Sequence, residues 1–380
     1  MLPHSLFSLT LLAAPQALGA TALFLVGGIF LTAVFLNFLP ELTRRDIFFA
    51  VTVYPDYRRS VEARLSVRRF RYAVWIHTFV ALSFVSAGVA SKHLLVPLIG
   101  IFWQVIGATI AFLRARRQVL PHATVQSPRR EAALVRRSPG AIYWLLQIGP
   151  FAILTSSILY LRAHWQSIPA RFPIHWGLNG EPNGWSNRSF AGVYGPALIG
   201  FSVCLFIALF SYGVVHWTRQ IRSTGADAAA ETRFRRIQLA ALVAVQYFMA
   251  WIFSGLPFTA LGPHPQRAPN VTPFLLGTFA FVAVLYAILI HTGQGGANLM
   301  AAGSDSDILG AGAAIGDRTP EECWKAGVFY VNANDPALMV EKRFGIGYTL
   351  NFGRPGAWFL AAAILAVAVV PLVIAFLSVR

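Results

Sequence analysis

The sequence predicts an all-α integral membrane protein of about eight transmembrane helices, with a small loop cap on the outer side and a small β-containing module on the inner side. Composition is the first reason: 56% of the 380 residues are hydrophobic and 12% are charged, against roughly 45–50% and about 25% in soluble domains. The second reason is the length of the apolar segments. The third is the distribution of basic residues between them.

Eight apolar segments are long enough to cross a membrane, since a ~30 Å hydrocarbon layer needs a helix of ~20 residues. Charged residues fall outside them, and a charge at the centre of a span would cost ~2.5–3.5 kcal/mol. The first segment is expected to remain as a membrane helix. A signal peptide begins with positively charged residues, and no Lys or Arg precedes Arg44. The predicted spans are 17–39, 72–90, 94–113, 141–161, 191–215, 237–261, 271–290 and 356–379.

Basic residues concentrate in alternate connections. If the N-terminus is outside, the inward connections hold 25 of the 31 Lys and Arg residues. The positive-inside rule therefore predicts a multi-pass protein of the cytoplasmic membrane with both termini outside. The lipid bilayer is then the main partner; no nucleic-acid partner is predicted, since the basic residues are not gathered on one face of a soluble fold. The inward connections are 40–71, 114–140, 216–236 and 291–355.

The first inward connection has a basic amphipathic pattern. Tyr57, Val61 and Leu65 recur at four-residue spacing among arginines. This pattern favours a helix that lies on the anionic inner leaflet before it turns into the second span. A solvated run of charges is the alternative.

A few polar side chains fall inside the spans, and His77, Gln104, Gln147 and Gln246 stand out. Amides that face lipid would lack hydrogen-bond partners, so these side chains are expected to point into the bundle and bond across helices. A path for a polar solute is the alternative. Because no Asp, Glu, Lys or Arg lies within a span to couple an ion, such a path would belong to a facilitator.

The polar connection 162–190 is predicted to form the outer cap. Residues 171–176 alternate between large apolar and other side chains, which predicts a short strand. Turn-forming residues follow at 179–180 and 182–184. The aromatic side chains expected to pack the cap are Phe172, Trp176 and Trp185. The candidate ligand-binding residues are Arg171, His175, Trp176, Asn179, Glu181 and Trp185.

No enzyme chemistry is predicted. His175 and Glu181 fall short of a three- or four-ligand metal site even if His164 joins them. Motifs for a nucleophile with its base, such as G-x-S-x-G, or for zinc, such as H-E-x-x-H, do not occur. Cys204 and Cys323 are too few for a disulfide framework. We therefore expect no catalytic residue, no metal and no cofactor.

The cap carries the motif I-P-x-x-x-P-I-H-W-x-x-x-G-x-P-N-G-W-S, residues 168–186. It resembles the uncharacterised loop-plus-helix domain of the SdpI-like family of bacterial multispanning membrane proteins. The resemblance implies resistance to a membrane-active toxin and signalling through a repressor held at the membrane. The matching residues are Pro169, Pro173, His175, Gly180, Pro182, Gly184 and Trp185. This chain is longer than the immunity proteins of that family.

The inner module follows a stretch rich in Gly, Ala, Ser and Asp, 291–319, which is expected to be a flexible linker. A tighter turn is expected at its start, residues 293–296. Large and small residues then alternate over 344–353, which predicts a strand with one large face and one small face. The candidate site residues of this module are Trp324, Tyr330, Asn332, Asp335, Arg343, Asn351 and Arg354.

The module also resembles a second uncharacterised domain of bacterial membrane proteins. The shared patterns are W-x-x-G-x-F-Y-x-N-x-x-D-P from Trp324 and R-F-G-x-G-x-T-L-N-F-x-R-P-x-A-W from Arg343. This resemblance implies a family and no mechanism.

Five regions follow: a three-span N-terminal region, 1–140; the SdpI-like domain, 141–215; two further spans, 216–290; the linker, 291–319; and the module with the last span, 320–380.

The sequence predicts a non-enzymatic protein that senses, or confers resistance to, an extracellular or membrane-active ligand through the outer cap. A peptide toxin or small ligand outside and a cytosolic regulator inside are the expected partners. A facilitator for a small solute is the alternative.

Overall fold

A computed structural model describes residues 5–91, 93, 95–124, 139–176, 182–218, 226–261, 271–299, 317 and 319–378. Long apolar helices dominate it, so the all-α membrane class is confirmed. In chain order the α-helices are α1 (Ser5–Leu42), α2 (Val61–Ser91), α3 (Leu95–Val119), α4 (Ala141–Leu146), α5 (Gly149–Ala163), α6 (Phe190–His216), α7 (Ala226–Gly255), α8 (Thr272–Thr292) and α9 (Pro355–Ser378).

Within the described residues, seven helical segments are long and apolar enough to cross a membrane. Helices α4 and α5 together count as one of them. Each of the seven coincides with one of the first seven predicted spans. The eighth predicted span, 356–379, falls on helix α9. The apolar part of this helix, Pro355–Val367, is shorter than the seven spanning segments.

Helix α2 corrects the prediction of a surface helix in the first inward connection. It continues without a break for 31 residues, or about 46 Å at 1.5 Å per residue. This exceeds the ~30 Å of the hydrocarbon layer. The basic segment is therefore the protruding end of a spanning helix, preceded by a single 3-10 turn at Pro55–Arg59.

Glycine and proline interrupt two spans. Helices α4 and α5 are separated directly before Gly149 and Pro150, since proline removes a helical hydrogen bond. Helix α7 ends at Gly255 and continues as the 3-10 helix Leu256–Leu261. Helix α6, in contrast, continues through Pro196.

Helices α2 and α3 form the tight antiparallel hairpin that their three-residue connection predicts. A Cβ atom on Gly100 would lie 2.7 Å from the carbonyl oxygen of Ala81, and one on Gly107 would lie 2.3 Å from the ring of His77. Small residues at a helix contact let two backbones approach this closely.

Helix α8 packs against both halves of the bundle. The ring of Tyr286 stacks on Phe35 of α1 at 4.4 Å between centroids, and the ring of Phe281 stacks on Phe248 of α7 at 4.2 Å. One half of the bundle consists of α1, α2 and α3, and the other of α5, α6 and α7.

Four two-stranded antiparallel sheets lie in the described part of the chain, all outside the spans. They are β1 (Ile47–Phe48) with β2 (Val51–Thr52), β3 (Arg171–Trp176) with β4 (Pro182–Asn187), β5 (Trp324–Lys325) with β6 (Phe329–Tyr330), and β7 (Met339–Glu341) with β8 (Tyr348–Leu350).

Helix α6 has a different polar element at each end. Near its start, Val193 and Tyr194 belong to the apolar cluster of the β3–β4 hairpin. Near its end, Val214 and Val215 belong to the apolar cluster of strands β7 and β8. We name these two ends of the bundle the hairpin face and the module face; the charge pattern predicts the module face to be the inner one.

The module, residues 319–354, docks on the β1–β2 turn and on helices α2 and α3. Its main anchor is the ring of Phe344, which lies 4.1 Å from Phe112, 5.9 Å from Phe49 and 6.1 Å from Phe70, between centroids. Aromatic rings bury much apolar area, so this contact contributes strongly to docking.

The long strand predicted over 344–353 is wrong. Only Tyr348–Leu350 is a strand, because Gly345 and Gly347 adopt φ values of 85° and 104° and the backbone turns there. The N–H of Lys342 donates to the carbonyl oxygen of Gly347 at 3.0 Å, which closes the turn. Phe344 lies in this turn and thereby reaches the neighbouring helices.

The β1–β2 turn is built from non-glycine residues in left-handed conformations. Phe49 has φ 45° and Ala50 has φ 61°, which a two-residue hairpin turn of this kind normally fills with Asn and Gly. Both residues are fully buried. The surrounding contacts therefore hold a backbone conformation that is costly for these residues.

The linker expected from residue 291 begins with an ordered turn. Residues 292–297 are buried, and the side-chain amide of Gln294 both donates to the carbonyl oxygen of Gly347 and accepts from its N–H, at 3.1 and 2.8 Å. The tighter turn at 293–296 is confirmed, whereas flexibility from 291 is wrong for these residues. Residues 300–316 and 318 lie outside the described residues.

Candidate functional sites on the two faces

The hairpin on the hairpin face contains an irregular strand. The pairing of β3 with β4 shifts between Pro173 and His175 and again at Trp176, since proline cannot donate a ladder hydrogen bond. Phe172 and Pro173 are both buried and Ile174 is exposed. The predicted strand is confirmed, but its two-residue alternation is interrupted. Residues 182–184, expected to be a turn, belong to strand β4.

Arg188 fastens this hairpin to the helices. Its guanidinium donates to the carbonyl oxygens of Trp165, Gln166 and Ile168 at 3.4, 3.3 and 3.0 Å. The next residue, Ser189, caps helix α6 by accepting from the N–H of Gly192 at 3.1 Å. The hairpin is thus continuous with the first turn of α6.

Two of the predicted ligand-binding residues lie together. The guanidinium of Arg171 sits 5.1 Å from the ring centroid of Trp185, a cation–π contact. His175 and Trp176 lie on β3, opposite Gly184 and Pro182 of β4, and only their backbone is described. Asn179 and Glu181 lie outside the described residues.

A buried amide organises the module on the other face. The Nδ2 atom of Asn351 donates to the carbonyl oxygens of Asn332, Asp335 and Ala337 at 2.8, 3.1 and 3.0 Å, and its Oδ1 accepts from the N–H of Asn332 at 2.9 Å. The hydroxyl of Tyr330 donates to Asp335 at 3.0 Å. These motif residues therefore stabilise the fold of the module.

Arg343 is the most buried charge in the described part of the chain, with no exposed side-chain surface. It forms a two-point contact with Asp317, from Nε to Oδ2 and from Nη2 to Oδ1, each 2.8 Å. It also donates to Glu321 and to the carbonyl oxygen of Thr319, the latter at 2.6 Å. Its guanidinium lies 5.1 Å from the ring centroid of Trp324.

The buried ions hold each other in the charged state. Burial alone would raise the pKa of Asp317, but the charge and hydrogen bonds of Arg343 outweigh burial and hold that pKa below its usual value. Burial would likewise lower the pKa of Arg343, and Asp317 and Glu321 instead raise it. Paired and fully bonded ions of this kind are the stable way to bury charge.

Glu321 joins the module to two other elements. Its carboxylate accepts from the N–H of Thr52 at 3.3 Å and lies 3.9 Å from the guanidinium of Arg116 at the end of α3. Arg116 donates in turn to the carbonyl oxygen of Ala50. We call Asp317, Glu321, Arg116 and Arg343 the latch.

Only Arg343 of the latch was predicted from sequence. The sequence predicts a flexible linker at Asp317, and no motif marks Glu321 or Arg116 as a candidate site residue. A usable signal was present: Asp317 and Glu321 are two of only 15 acidic residues in a strongly basic chain, and they lie just before the module and at its start.

Glu341 is a second acid of the module and is half-buried. Burial raises its pKa to about 7, against the opposing charges of Arg44 and Arg235, with Glu231 and Asp317 adding to the rise. Its Oε2 atom has no hydrogen-bond partner among the described residues. This carboxyl is therefore poised to change charge near neutral pH.

Arg354, the last predicted residue of the module, is partly exposed, and its backbone N–H donates to the carbonyl oxygen of Asn351 at 3.0 Å. Nearby, the indole of Trp358 donates to the carbonyl oxygen of Phe352 at 3.1 Å. These contacts fix the start of helix α9 against the module.

Intramembrane amides bond between helices. Gln104 donates to the carbonyl oxygen of Ile29 and to the hydroxyl of Thr78, both at 3.0 Å. Gln246 donates to the carbonyl oxygen of Cys204 at 3.0 Å. Both contacts fit helix packing.

The other two polar residues inside the spans lie near glycines. His77 packs against Gly107 and lies 5.8 Å from the ring of Trp103. Gln147 is buried at the break before Gly149.

Among the described residues, no three His, Cys, Asp or Glu side chains lie close enough to hold a metal ion. Both cysteines are free.

Two parts of the chain match family models. Residues 152–200, which include the hairpin and parts of α5 and α6, match the domain of unknown function DUF1648. Residues 333–358, from the Asn351 network to the start of α9, match the family of unknown function DUF5808. No curated protein and no solved structure matches the chain.

Proposed function

We propose that this multispan membrane protein is a non-enzymatic receptor or resistance protein, in which the hairpin meets an extracellular or membrane-active ligand and the module passes the bound state to a cytosolic partner. The chain combines two uncharacterised domains in an apolar helical bundle. The SdpI-like resemblance of the cap motif is what suggests a membrane-active peptide as the ligand.

One observation carries this proposal: helix α6 belongs to the apolar clusters of both faces. Its first turn holds Val193 and Tyr194 against Phe172 of the hairpin. Its last turns hold Val214 against Met339 and the rest of the module. A shift of α6 at one face therefore changes contacts at the other, provided that the ligand prefers one position of the helix.

The hairpin offers a surface suited to an amphipathic ligand. Ile174, on the same strand as Arg171, is 42% exposed, and Arg171 forms a cation–π pair with Trp185. An aromatic ring, an aliphatic side chain and a guanidinium together bind a partner with both an apolar and an anionic part.

The facilitator alternative has less support. Gln104 and Gln246 bond to backbone carbonyls of neighbouring helices, and so they fit helix contacts better than a solute path. Proteoliposome flux of a small solute that is lost on replacing Gln104 and Gln246 would favour the alternative.

The proposal is tested by survival. Cells that produce the protein are challenged with a panel of membrane-active bacterial peptides, and the minimal inhibitory concentration of each is measured. We expect protection against at least one peptide, and its loss in Arg171→Ala and Trp185→Ala. Arg162→Ala is the matched control, since this exposed arginine lies on α5 at the same face. Equal survival of all variants at equal protein level would contradict the hairpin as the receptor.

The relay is tested separately with Cys323, which is partly buried in the module. In a Cys204→Ser background, the rate of maleimide labelling of Cys323 reports how tightly the module is packed. We expect the protective peptide to change this rate in the wild type and not in Trp185→Ala.

A further inference from the structure

A groove of about 540 Å³ opens between α1 and α2 near the module face. Its polar lining is mostly basic: Arg58, Arg64, Arg68 and Arg71 surround it, with Glu41 as the acidic residue of the lining. Drug-sized ligands occupy pockets of ~300–1,000 Å³, so the groove has room for a small anionic group.

The acidic residue is already engaged. The carboxylate of Glu41 accepts from Arg71 at 2.6 Å. Arg64 and Arg68, one helical turn apart on α2, are both exposed. The guanidinium of Arg68 lies over the ring of Tyr72, 5.4 Å from its centroid, and does not reach an acid there. The groove therefore has an excess of positive charge.

The helix end beside the groove does not oppose an anion. The last carbonyls of a helix carry partial negative charge. Arg58 places its guanidinium at this end of α1: it donates to the carbonyl oxygen of Pro40 in the last turn, at 3.5 Å, and to those of Thr43 and Arg44 just after the helix, at 3.3 and 2.7 Å. Burial lowers the pKa of Arg58 to about 10, so this arginine remains charged at neutral pH.

An apolar strip continues from the groove toward the membrane. Trp75 lines the groove and donates from its indole to the side-chain oxygen of Asn37 at 3.3 Å. Phe30 and Phe79 lie 5.8 and 6.3 Å from its ring and are 50% and 65% exposed. Tryptophan with one polar end favours the membrane–water interface, and exposed phenylalanines beyond it face acyl chains.

We propose that this groove binds the phosphate-bearing headgroup of an anionic membrane lipid, with Arg64 and Arg68 on the phosphate and an acyl chain along Trp75 and Phe79. The two arginines and the aromatic residues recur at three- and four-residue spacing on one face of α2. Headgroup and chain therefore meet the same helix in the order in which a bilayer presents them. This site is independent of ligand binding at the hairpin.

The test is native mass spectrometry of the detergent-purified protein with dioleoylphosphatidylglycerol or dioleoylphosphatidylcholine. We expect retention of the anionic lipid over the zwitterionic one. In Arg64→Gln/Arg68→Gln, binding should weaken about 30-fold, since each basic residue near a charged lipid surface contributes a roughly fivefold factor. Arg64→Lys/Arg68→Lys, which keeps the charge, should recover most of the binding and shows that loss is not misfolding.

The matched control is Arg59→Gln/Arg69→Gln, which removes the same charge from exposed arginines outside the groove lining. Equal weakening by both double variants would overturn the proposal in favour of diffuse attraction. Unchanged binding in Arg64→Gln/Arg68→Gln would overturn it as well. A third arm adds inorganic phosphate; displacement of the lipid at millimolar phosphate would reassign the groove to the free ion.

Discussion

The hairpin and the module both pack on α6 through apolar residues, at opposite ends of the helix, but they differ in the polar contacts that hold them. The hairpin rests on apolar packing by Phe172 and on donation from Arg188 to neutral carbonyls. The module also packs on α6 through apolar residues, Met339 with Val214, but it contains in addition a buried ion pair, Arg343 with Asp317, which Glu321 links to Arg116 of α3. A contact between neutral groups weakens gradually as the groups separate. A buried ion that separates from its partner is left as an uncompensated charge, which costs much more free energy. The module is therefore expected to dock in an all-or-none manner and the hairpin to adjust continuously.

The largest effect on the stability of either element is predicted for Asp317→Asn in the module. It leaves Arg343 buried with an incomplete set of partners, and breaking a buried pair costs about 3–5 kcal/mol. We expect Cys323 to be labelled by maleimide at a much lower temperature than in the wild type.

Arg354→Gln is the control for this measurement, because Arg354 belongs to the same module and is partly exposed. An equal change in Cys323 labelling in both variants would show that the latch stabilises the module no more than a partly exposed arginine does.

A somewhat smaller effect is predicted for Asn351→Leu. The substitution removes the donor that serves the carbonyl oxygens of Asn332, Asp335 and Ala337. Buried polar groups left without partners cost about 1–3 kcal/mol, so the unfolding free energy of the module should fall by about 2–3 kcal/mol. Hydrogen exchange of the module amides measures it; exchange as slow as in the wild type would mean that water replaces the amide.

The protonation of Glu341 is predicted to make the stability of the module depend on pH. Its pKa in the folded protein, about 7, lies above the ordinary 4.5. The folded module therefore binds more protons than the unfolded one between these values, and its stability falls as pH rises through 7. The loss should be about 1–3 kcal/mol.

The matching measurement is the Tm of the module at pH 5 and pH 8 in the wild type and in Glu341→Gln. We expect a fall at pH 8 in the wild type and a nearly flat response in the variant. A wild-type Tm that rises with pH would contradict the charge assignment.

The smallest effect is predicted at the hairpin. Arg171→Gln removes a cation–π contact at the surface, worth about 0.5–1 kcal/mol, so the Tm should change by no more than a few degrees. A large fall would show that this arginine is structural, and the contrast between the faces would then fail.

Hydropathy and charge predicted the spans, because lipid excludes charge wherever a helix crosses it. The same local signals could not predict the latch, since Arg343 meets Asp317, and Glu321 meets Arg116, through folding and not through spacing. The alternation of large and small side chains over 344–353 predicted a strand. The backbone turns there instead, because Gly345 and Gly347 adopt positive φ values, which the alternation of side-chain size does not reveal. The strand β3 was predictable, and its bulge was not, because the bulge depends on the register with β4.

On the hairpin face, the structure brings together Arg171 and Trp185, two of the candidate ligand-binding residues. The role of Asn351 differs from the expectation: a candidate site residue supports the fold instead. Short polar motifs in a small module serve its internal hydrogen bonds first, because strands of only two or three residues leave many carbonyls to satisfy.

The turn at Phe49 and Ala50 has a consequence for the order of assembly. Its left-handed backbone is completed by partners such as Glu321, which follows Thr52 by 269 residues. At a synthesis rate of ~5–20 residues per second, the ribosome needs roughly 15–50 s to supply them. The segment made early remains incomplete until residue 321 emerges, and a chaperone or an insertase has that interval in which to act.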